Sequence, residues 1–193
     1  MKAVCIVGSP NVSGNTAKLM EHVCAGLRAG GAQTDCFSLG EMNIGFCKGC
    51  KACYGGDFTC VQQDDFDRLM TALKEADVVV VAAPSYWGDV PAQMKAVIDR
   101  TTPYCDTREE RAFFPRGKQG LALAIRAGTT ERENLRVIDS ISHWFGHLGI
   151  SVAGTLSVTS VDEPEDWAGR EETLDAAYQL GLSCLSTKSI TLR

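Results

Sequence analysis

The chain has 193 residues, of which 45% are hydrophobic and 22% charged, and it carries a formal net charge of −5. That length suits one domain with a sizeable core, and the acidic balance argues against nucleic acid or an anionic membrane surface as partner. No apolar run approaches the roughly 18 residues of a membrane span, and the opening run, 3–7, is too short for an export signal, so a cytoplasmic protein is expected.

The run Ala3-Val4-Cys5-Ile6-Val7 reads as a buried strand. A polar loop follows, Gly8-Ser9-Pro10-Asn11-Val12-Ser13-Gly14-Asn15-Thr16, and then a helix whose apolar residues fall at 19, 20, 23, 24 and 27. Strand, small polar loop and helix build an anion site, because hydroxyls, backbone N–H groups and the helix N-terminus converge. The loop is neither GxGxxG nor GxxxxGK[ST] and lacks a terminal Lys, so a monophosphate fits it better than a nucleoside triphosphate. An ordinary turn with a Ser or Asn cap is the alternative. Residues 33–39 read as a second strand, and 40–63 as a long irregular segment. Asp64-Asp65 caps a helix through Phe66, Leu69, Met70 and Leu73. The β-branched run within 77–83 predicts a strand buried on both faces. Loop 84–90 leads to Pro91, expected as the first residue of a helix through Met94, Val97 and Ile98. A fourth strand spans 120–125, followed by loop 126–130 and a helix through Leu135, Ile138, Ile141, Trp144 and Phe145. A fifth strand spans 150–156, the acidic run 162–166 reads as a solvated loop, with a place near the ligand-binding edge of the sheet as the alternative, and a last helix covers about 170–186.

Strand and helix alternating five times predict an α/β fold, a doubly wound five-stranded parallel sheet with helices on both faces. Its topology places loops 8–16, 84–90 and 126–130 on one edge, where such sheets bind ligands. Tyr86 and Trp87, beside Pro84 and Gly88, suit a flat heteroaromatic ring, although packing against helices would also explain them. Ala127 and Gly128 are small enough for a ring to lie against backbone. A phosphate at one end and a flat ring at the other point to FMN.

Nine cysteines in such a chain need a reason other than disulfides. Cys5, Cys24, Cys36, Cys105 and Cys184 are scattered singly, the first two on apolar faces as small core residues. Cys47, Cys50, Cys53 and Cys60 fall within 14 residues of one another. Thiolates select zinc, copper(I) or iron–sulfur clusters. Structural zinc usually takes two separated ligand pairs, whereas three cysteines at intervals of three plus a nearby fourth resemble a run that wraps a [4Fe–4S] cubane. Zinc, and free thiols lining a flavin or interface pocket, remain the alternatives. His143 and His147 can face one way on their helix, where a solvated or capping role is expected rather than a metal site.

Gly8-Ser9-Pro10 with Ser13-Gly14-Asn15-Thr16, and Pro84-Ser85-Tyr86-Trp87-Gly88 leading to Lys95 and Asp99-Arg100, resemble the flavodoxin-like NAD(P)H-dependent FMN reductase family. The cysteine run followed by Asp64-Asp65 resembles its iron–sulfur flavoprotein branch, whose compact motif holds a [4Fe–4S] cluster near the flavin. The resemblance implies phosphate contacts from Ser9, Asn11, Ser13, Asn15 and Thr16. It implies ring contacts from the loop of Pro84, Ser85, Tyr86, Trp87 and Gly88, with Ala127 and Gly128 as a third flavin loop. It further implies cluster ligation by Cys47, Cys50, Cys53 and Cys60, a homodimer or homotetramer, and exchange of electrons with NAD(P)H, quinone or ferredoxin. A cluster-free FMN or quinone reductase is the competing function, and a thiol or zinc sensor a third. The whole chain, 1–193, is expected to be one domain with a cysteine-rich insertion at about 40–63.

Overall fold

A computed structural model describes residues 1–107 and 109–185. Five strands, β1 (Lys2–Val7), β2 (Gln33–Ser38), β3 (Val78–Pro84), β4 (Gln119–Ile125) and β5 (Ser151–Val158), form one parallel sheet in the order β2-β1-β3-β4-β5. Five helices connect and cover them: α1 (Asn15–Ala29), α2 (Phe66–Glu75), α3 (Ala92–Arg100), α4 (Glu131–His147) and α5 (Glu171–Cys184). The expected end of the last helix, residue 186, lies outside the described residues.

Alternation along the strands creates two cores. Val4, Ile6, Val79, Val81, Ala122 and Ala124 meet α2, α3 and α4 on one face. Ala3, Cys5, Val78, Val80, Leu121 and Leu123 meet α1 and α5 on the other. A strand with helices on both faces has no polar side, which is why β3 is an unbroken apolar run. Helices α1 and α5 cross at glycines: a Cβ on Gly26 would stand 2.0 Å from the Tyr178 carbonyl oxygen, and one on Gly181 2.2 Å from that of Val23.

Several local details differ from the sequence reading. Pro91 is the cap of α3, not its first helical residue, because its ψ of 158° is extended while its carbonyl accepts the Lys95 N–H at 2.9 Å. Leu135 has helical spacing but is 48% exposed, since it lies outside the stripe formed by Val137, Ile138, Ile141 and Trp144. The register of β4 with β5 shifts between Gly120 and Leu121. The acidic run includes a short 3-10 turn, Pro164–Trp167, closed by a reciprocal capping box between Glu163 and Asp166.

Candidate functional site

The loops leaving β1, β3 and β4 begin in register. Gly8 donates its N–H to the Ala82 carbonyl at 2.8 Å, Ser85 to Ile125 at 2.9 Å, and Arg126 to Val158 at 3.0 Å. Each loop therefore leaves the sheet beside the next. Together they enclose a cavity of about 260 Å³ lined by Ser9, Asn11, Asn15, Thr16, Pro84, Ser85, Tyr86 and Ala127.

In the first loop, buried Ser9 accepts the Asn11 N–H on Oγ at 3.1 Å, and Asn11 Oδ1 accepts the Ser13 N–H at 3.2 Å. Side chains thus fold the turn on itself. Gly14 caps α1 with no side-chain hydrogen bond, and the first helical turn carries no acidic residue. The opening N–H groups of the helix have no intrahelical acceptor. The Asn15 side chain is committed elsewhere: Nδ2 donates to the Asp162 carbonyl at 2.8 Å and Oδ1 accepts the Trp167 indole N–H at 2.9 Å. It ties the turn to the acidic loop, so Asp162 lines the cavity rather than simply facing solvent.

The second loop is a tight hairpin. Tyr86 and Asp89 exchange backbone bonds at 3.0 and 3.1 Å, and both central residues have positive φ, 58° at Trp87 and 77° at Gly88. Glycine adopts that region freely, whereas a bulky residue there is held under strain. Trp87 projects fully into solvent from the tip. Ser85 lines the cavity, and its Oγ is buried with no partner among the described residues. In the third loop, Arg126 folds over Gly128, reaching the Thr130 carbonyl at 2.8 Å and the Glu133 carboxylate at 2.9 Å. Ser13, Trp87, Gly88 and Gly128 do not line the cavity. Arg126 and Val161 line it without having been expected, and Asp162 lines it in keeping with the alternative place of the acidic run near this edge. Arg126 was within reach of a sequence argument, since it adjoins Ala127, but the bond that ties Asp162 to Asn15 spans 147 positions and gives no local signal.

The four clustered cysteines line a separate cavity of about 200 Å³ with Lys48, Lys51, Tyr54, Asp99 and Arg100. Cys47 and Cys50 are exposed, Cys53 and Cys60 half-buried. Burial, followed by the neighbouring thiols of Cys60, Cys47 and Cys50, pushes the Cys53 thiol up. Arg100 is the anchor that sequence reading missed. Its guanidinium donates to Asp64 Oδ2 at 2.5 Å, to the carbonyls of Gly45 and Gln62 at 3.3 Å each, and to Cys60 Sγ at 3.5 Å. It also lies 4.4 Å from the Phe66 ring centroid. Asp64 accepts the Gly45 and Phe66 N–H groups at 2.9 and 3.1 Å, while Asp65 accepts that of Asn43 at 2.7 Å. The two aspartates therefore close the base of the cysteine loop as well as opening α2. Burial pushes the Asp64 carboxyl up, but Arg100 and the two N–H groups outweigh it and hold it below the usual range.

One ion bound to thiolates at about 2.3 Å would bring the sulfurs within about 4 Å of one another. Among the described residues, the groups of three metal-ligating side chains within 4.8 Å are Cys5, Cys24 and Cys36, and Cys105, Asp106 and His147. The four loop thiols stand wider than a single ion requires. The first trio corrects the reading of those cysteines as isolated: Cys5 and Cys36 pair across β1 and β2, and α1 brings Cys24 Sγ to 3.6 Å from Cys36 Sγ.

Two larger cavities, of about 530 and 480 Å³, lie beside Phe113 and beside His143, so size does not select the loop edge. The comparison with known proteins decides the family. Residues 1–163 match the family described as NADPH-dependent FMN reductase. The chain belongs to that family. Within it the reductase falls in the iron–sulfur flavoprotein branch. It is 32% identical over 184 residues to the iron–sulfur flavoprotein of Methanosarcina thermophila, covering 93% of each chain. It is 36% identical over 135 residues to one from Archaeoglobus fulgidus, covering 70% of this chain and 59% of the relative. The fold of the reductase is also that of the NAD(P)H:quinone oxidoreductase from Methanothermobacter marburgensis, with a TM-score of 0.71 at 17% identity, covering 94% and 98% of the chains. The protein is a flavin-dependent oxidoreductase, and no helix of its described residues is long and apolar enough to cross a membrane.

Proposed function

We propose that this flavoprotein transfers electrons between FMN held by loops 8–16, 84–90 and 126–130 and a [4Fe–4S] cluster held by Cys47, Cys50, Cys53 and Cys60. The observation that carries this reading is the convergence of all four thiols on one cavity beside a buried guanidinium. Lys48, Lys51 and Arg100 place positive charge where four thiolates would gather. The flavin edge also fits its group, because Ser85 lines the cavity and its buried Oγ, without a partner among the described residues, needs a hydrogen-bond partner.

Bound FMN supplies chemistry that accepts electrons as hydride and releases them singly, and a cluster takes them singly. The chain's own part is positioning. Ser9, Asn11, Ser13 and Thr16 shape the turn for the phosphate, with the start of α1 adding its dipole. The 86–89 hairpin would offer the ring its backbone and Tyr86, which lines the cavity, with Trp87 standing in solvent at its tip. Helix α3 separates the hairpin from Arg100, and its nine residues span about 13 Å. That spacing favours transfer across a homodimer or homotetramer contact, which the exposed Trp87, Phe46 and Val61 would help form. NAD(P)H is the proposed donor, docking transiently, with quinone or ferredoxin as acceptor, in the cytoplasm.

Anaerobic reconstitution with iron and sulfide, then FMN titration of the product, tests this. Four iron and four sulfide per chain, lost together in Cys60→Ala, are expected alongside one FMN. FMN without iron would leave the cluster-free reductase, and failure to bind FMN at high micromolar flavin would overturn the flavin edge.

A further inference from the structure

His143 and His147 lie one turn apart near the C-terminus of α4, outside both candidate cofactor sets. Asp106 Oδ1 is 2.7 Å from His147 Nδ1, and His147 Nε2 is 3.1 Å from His143 Nε2 across rings almost perpendicular, at 88°. The Asp106 backbone N–H donates to the His147 carbonyl at 3.1 Å, which fixes the carboxylate beside the helix end. Its bond to His147 holds the Asp106 carboxyl below the usual range, so it is ionised and accepts the His147 Nδ1 proton. His147 Nε2 then carries a lone pair, and the proton between the rings belongs to His143 Nε2. Carboxylate, imidazole and imidazole thus form one hydrogen-bonded row, whose outer member, His143, is exposed to water.

Both rings line the cavity of about 480 Å³, a size that encloses small organic ligands. Ile98, Trp144 and Leu148 give it apolar wall, and the Trp144 indole is fixed by donating to Thr101 Oγ1 at 2.8 Å. Tyr54, Asp99 and Thr102 line this cavity and the cysteine cavity alike, so an occupant would sit next to the loop thiols. A carboxylate behind an imidazole fixes its tautomer and stabilises the imidazolium that forms when the other nitrogen takes a proton. Such a row stores a proton beside the cavity and refills from water at its exposed end. Two solvated histidines at a helix end would need neither the carboxylate nor the apolar wall. A protein carrier such as ferredoxin takes electrons alone and cannot enter a space of this size. A quinone brings a flat apolar ring and needs one proton for each electron.

We propose that this cavity binds a quinone-class acceptor and that His143 and His147, with Asp106 as positioning residue, deliver the protons that accompany its electrons. The proposal rests on the flavin and cluster reading above and selects quinone over ferredoxin as acceptor. The balance is quinone + NAD(P)H + H⁺ → hydroquinone + NAD(P)⁺. The nicotinamide gives both electrons and releases one proton to water, and the two new O–H bonds take protons from the histidine row, which water refills.

The test compares menadione, a small quinone, with ferricyanide, which takes one electron and no proton, using full chain loaded with FMN, iron and sulfide. His147→Gln should lower kcat for menadione about 10²-fold, the lower end of what positioned acid–base groups contribute, and leave its KM and ferricyanide turnover unchanged. Asp106→Asn should lower the same kcat by less, again without moving KM. Ser140 lines the cavity one turn before His143, so Ser140→Trp fills it and should raise KM for menadione about tenfold or more. Equilibrium dialysis of menadione against FMN-saturated chain without iron reads the cavity independently of the cluster. Wild type is expected to hold one equivalent more than Ser140→Trp. Equal binding in the two would overturn the proposal, as would His147→Gln slowing both acceptors alike or neither. Failure of the chain to take up iron would overturn the cluster reading and its electron route, while the dialysis result still decides the cavity.

Discussion

Replacing Asp64 by asparagine removes a charge while keeping the side chain's shape, and so tests what holds the cysteine loop. The partners are nearly dry, with side-chain exposures of 1% for Arg100 and 9% for Asp64. In Asp64→Asn the guanidinium keeps the Gly45 and Gln62 carbonyls, both at 3.3 Å, and the Phe66 ring, but loses its counter-ion. Breaking a buried pair typically costs about 3–5 kcal/mol, because the remaining charge stays desolvated. The amide oxygen still accepts, so about 3 kcal/mol is expected, which at this chain length lowers Tm by roughly 6–12 °C. Urea unfolding should show a lower midpoint at unchanged slope. The pH dependence has a definite sign. A carboxyl held below its unfolded value of about 3.9 stabilises fully above that value and loses the contribution as pH falls through the folded one. The gap between wild type and Asp64→Asn should therefore be flat from about pH 5 to 8 and close only in stronger acid. Because apolar replacement of both partners is often close to neutral, Asp64→Leu/Arg100→Met should recover much of the loss. A cost below about 1 kcal/mol for Asp64→Asn, or a double variant no better than the single, would refute the pair as the loop's anchor.

Ser85→Ala should leave the thermal stability of flavin-free protein unchanged, since Oγ has no partner among the described residues, yet weaken FMN binding about tenfold in a fluorescence titration. Gly181→Ala drives a methyl to 2.2 Å from the Val23 carbonyl oxygen and should cost about 3 kcal/mol by thermal melting, through separation of α1 from α5. Asn134 is fully buried and donates to the Val158 carbonyl at 2.8 Å and Ser157 Oγ at 3.2 Å, so Asn134→Ala should cost about 2 kcal/mol and loosen the ends of β4 and β5 in hydrogen exchange. Hydrogen bonds from Cys24 and Cys5 lower the Cys36 thiol, and Arg28 adds positive charge nearby. Peptide mapping after iodoacetamide at pH 6 should therefore find Cys36 labelled faster than a free model thiol, and a rate equal to or below that thiol would count against the thiolate.

The residues that announce themselves in the sequence act through near neighbours. The run Val78-Val79-Val80-Val81 declares a strand covered on both faces without reference to anything else in the chain. The small polar turn after Val7 and the spacing of Cys47, Cys50, Cys53 and Cys60 are equally local, so their chemistry could be inferred before any contact was seen. The members of the cavities that were missed are distant in sequence. Arg100 meets Asp64 across 36 positions, and His147 meets Asp106 across 41. Periodicity also cannot say which edge of an apolar stripe meets solvent, which is why Leu135 was misplaced.

The sequence alone determined the alternation of strands and helices, the polar turn at the first βα junction and the grouping of four thiols, because each depends on residues a few positions apart. Tertiary structure decided that the Ser85 hydroxyl is left buried without a partner among the described residues, that Asn15 is bound to Asp162 and Trp167, and that Cys5, Cys24 and Cys36 converge. Those outcomes depend on how parallel crossovers stack helices on the sheet, which brings together side chains that share no local pattern.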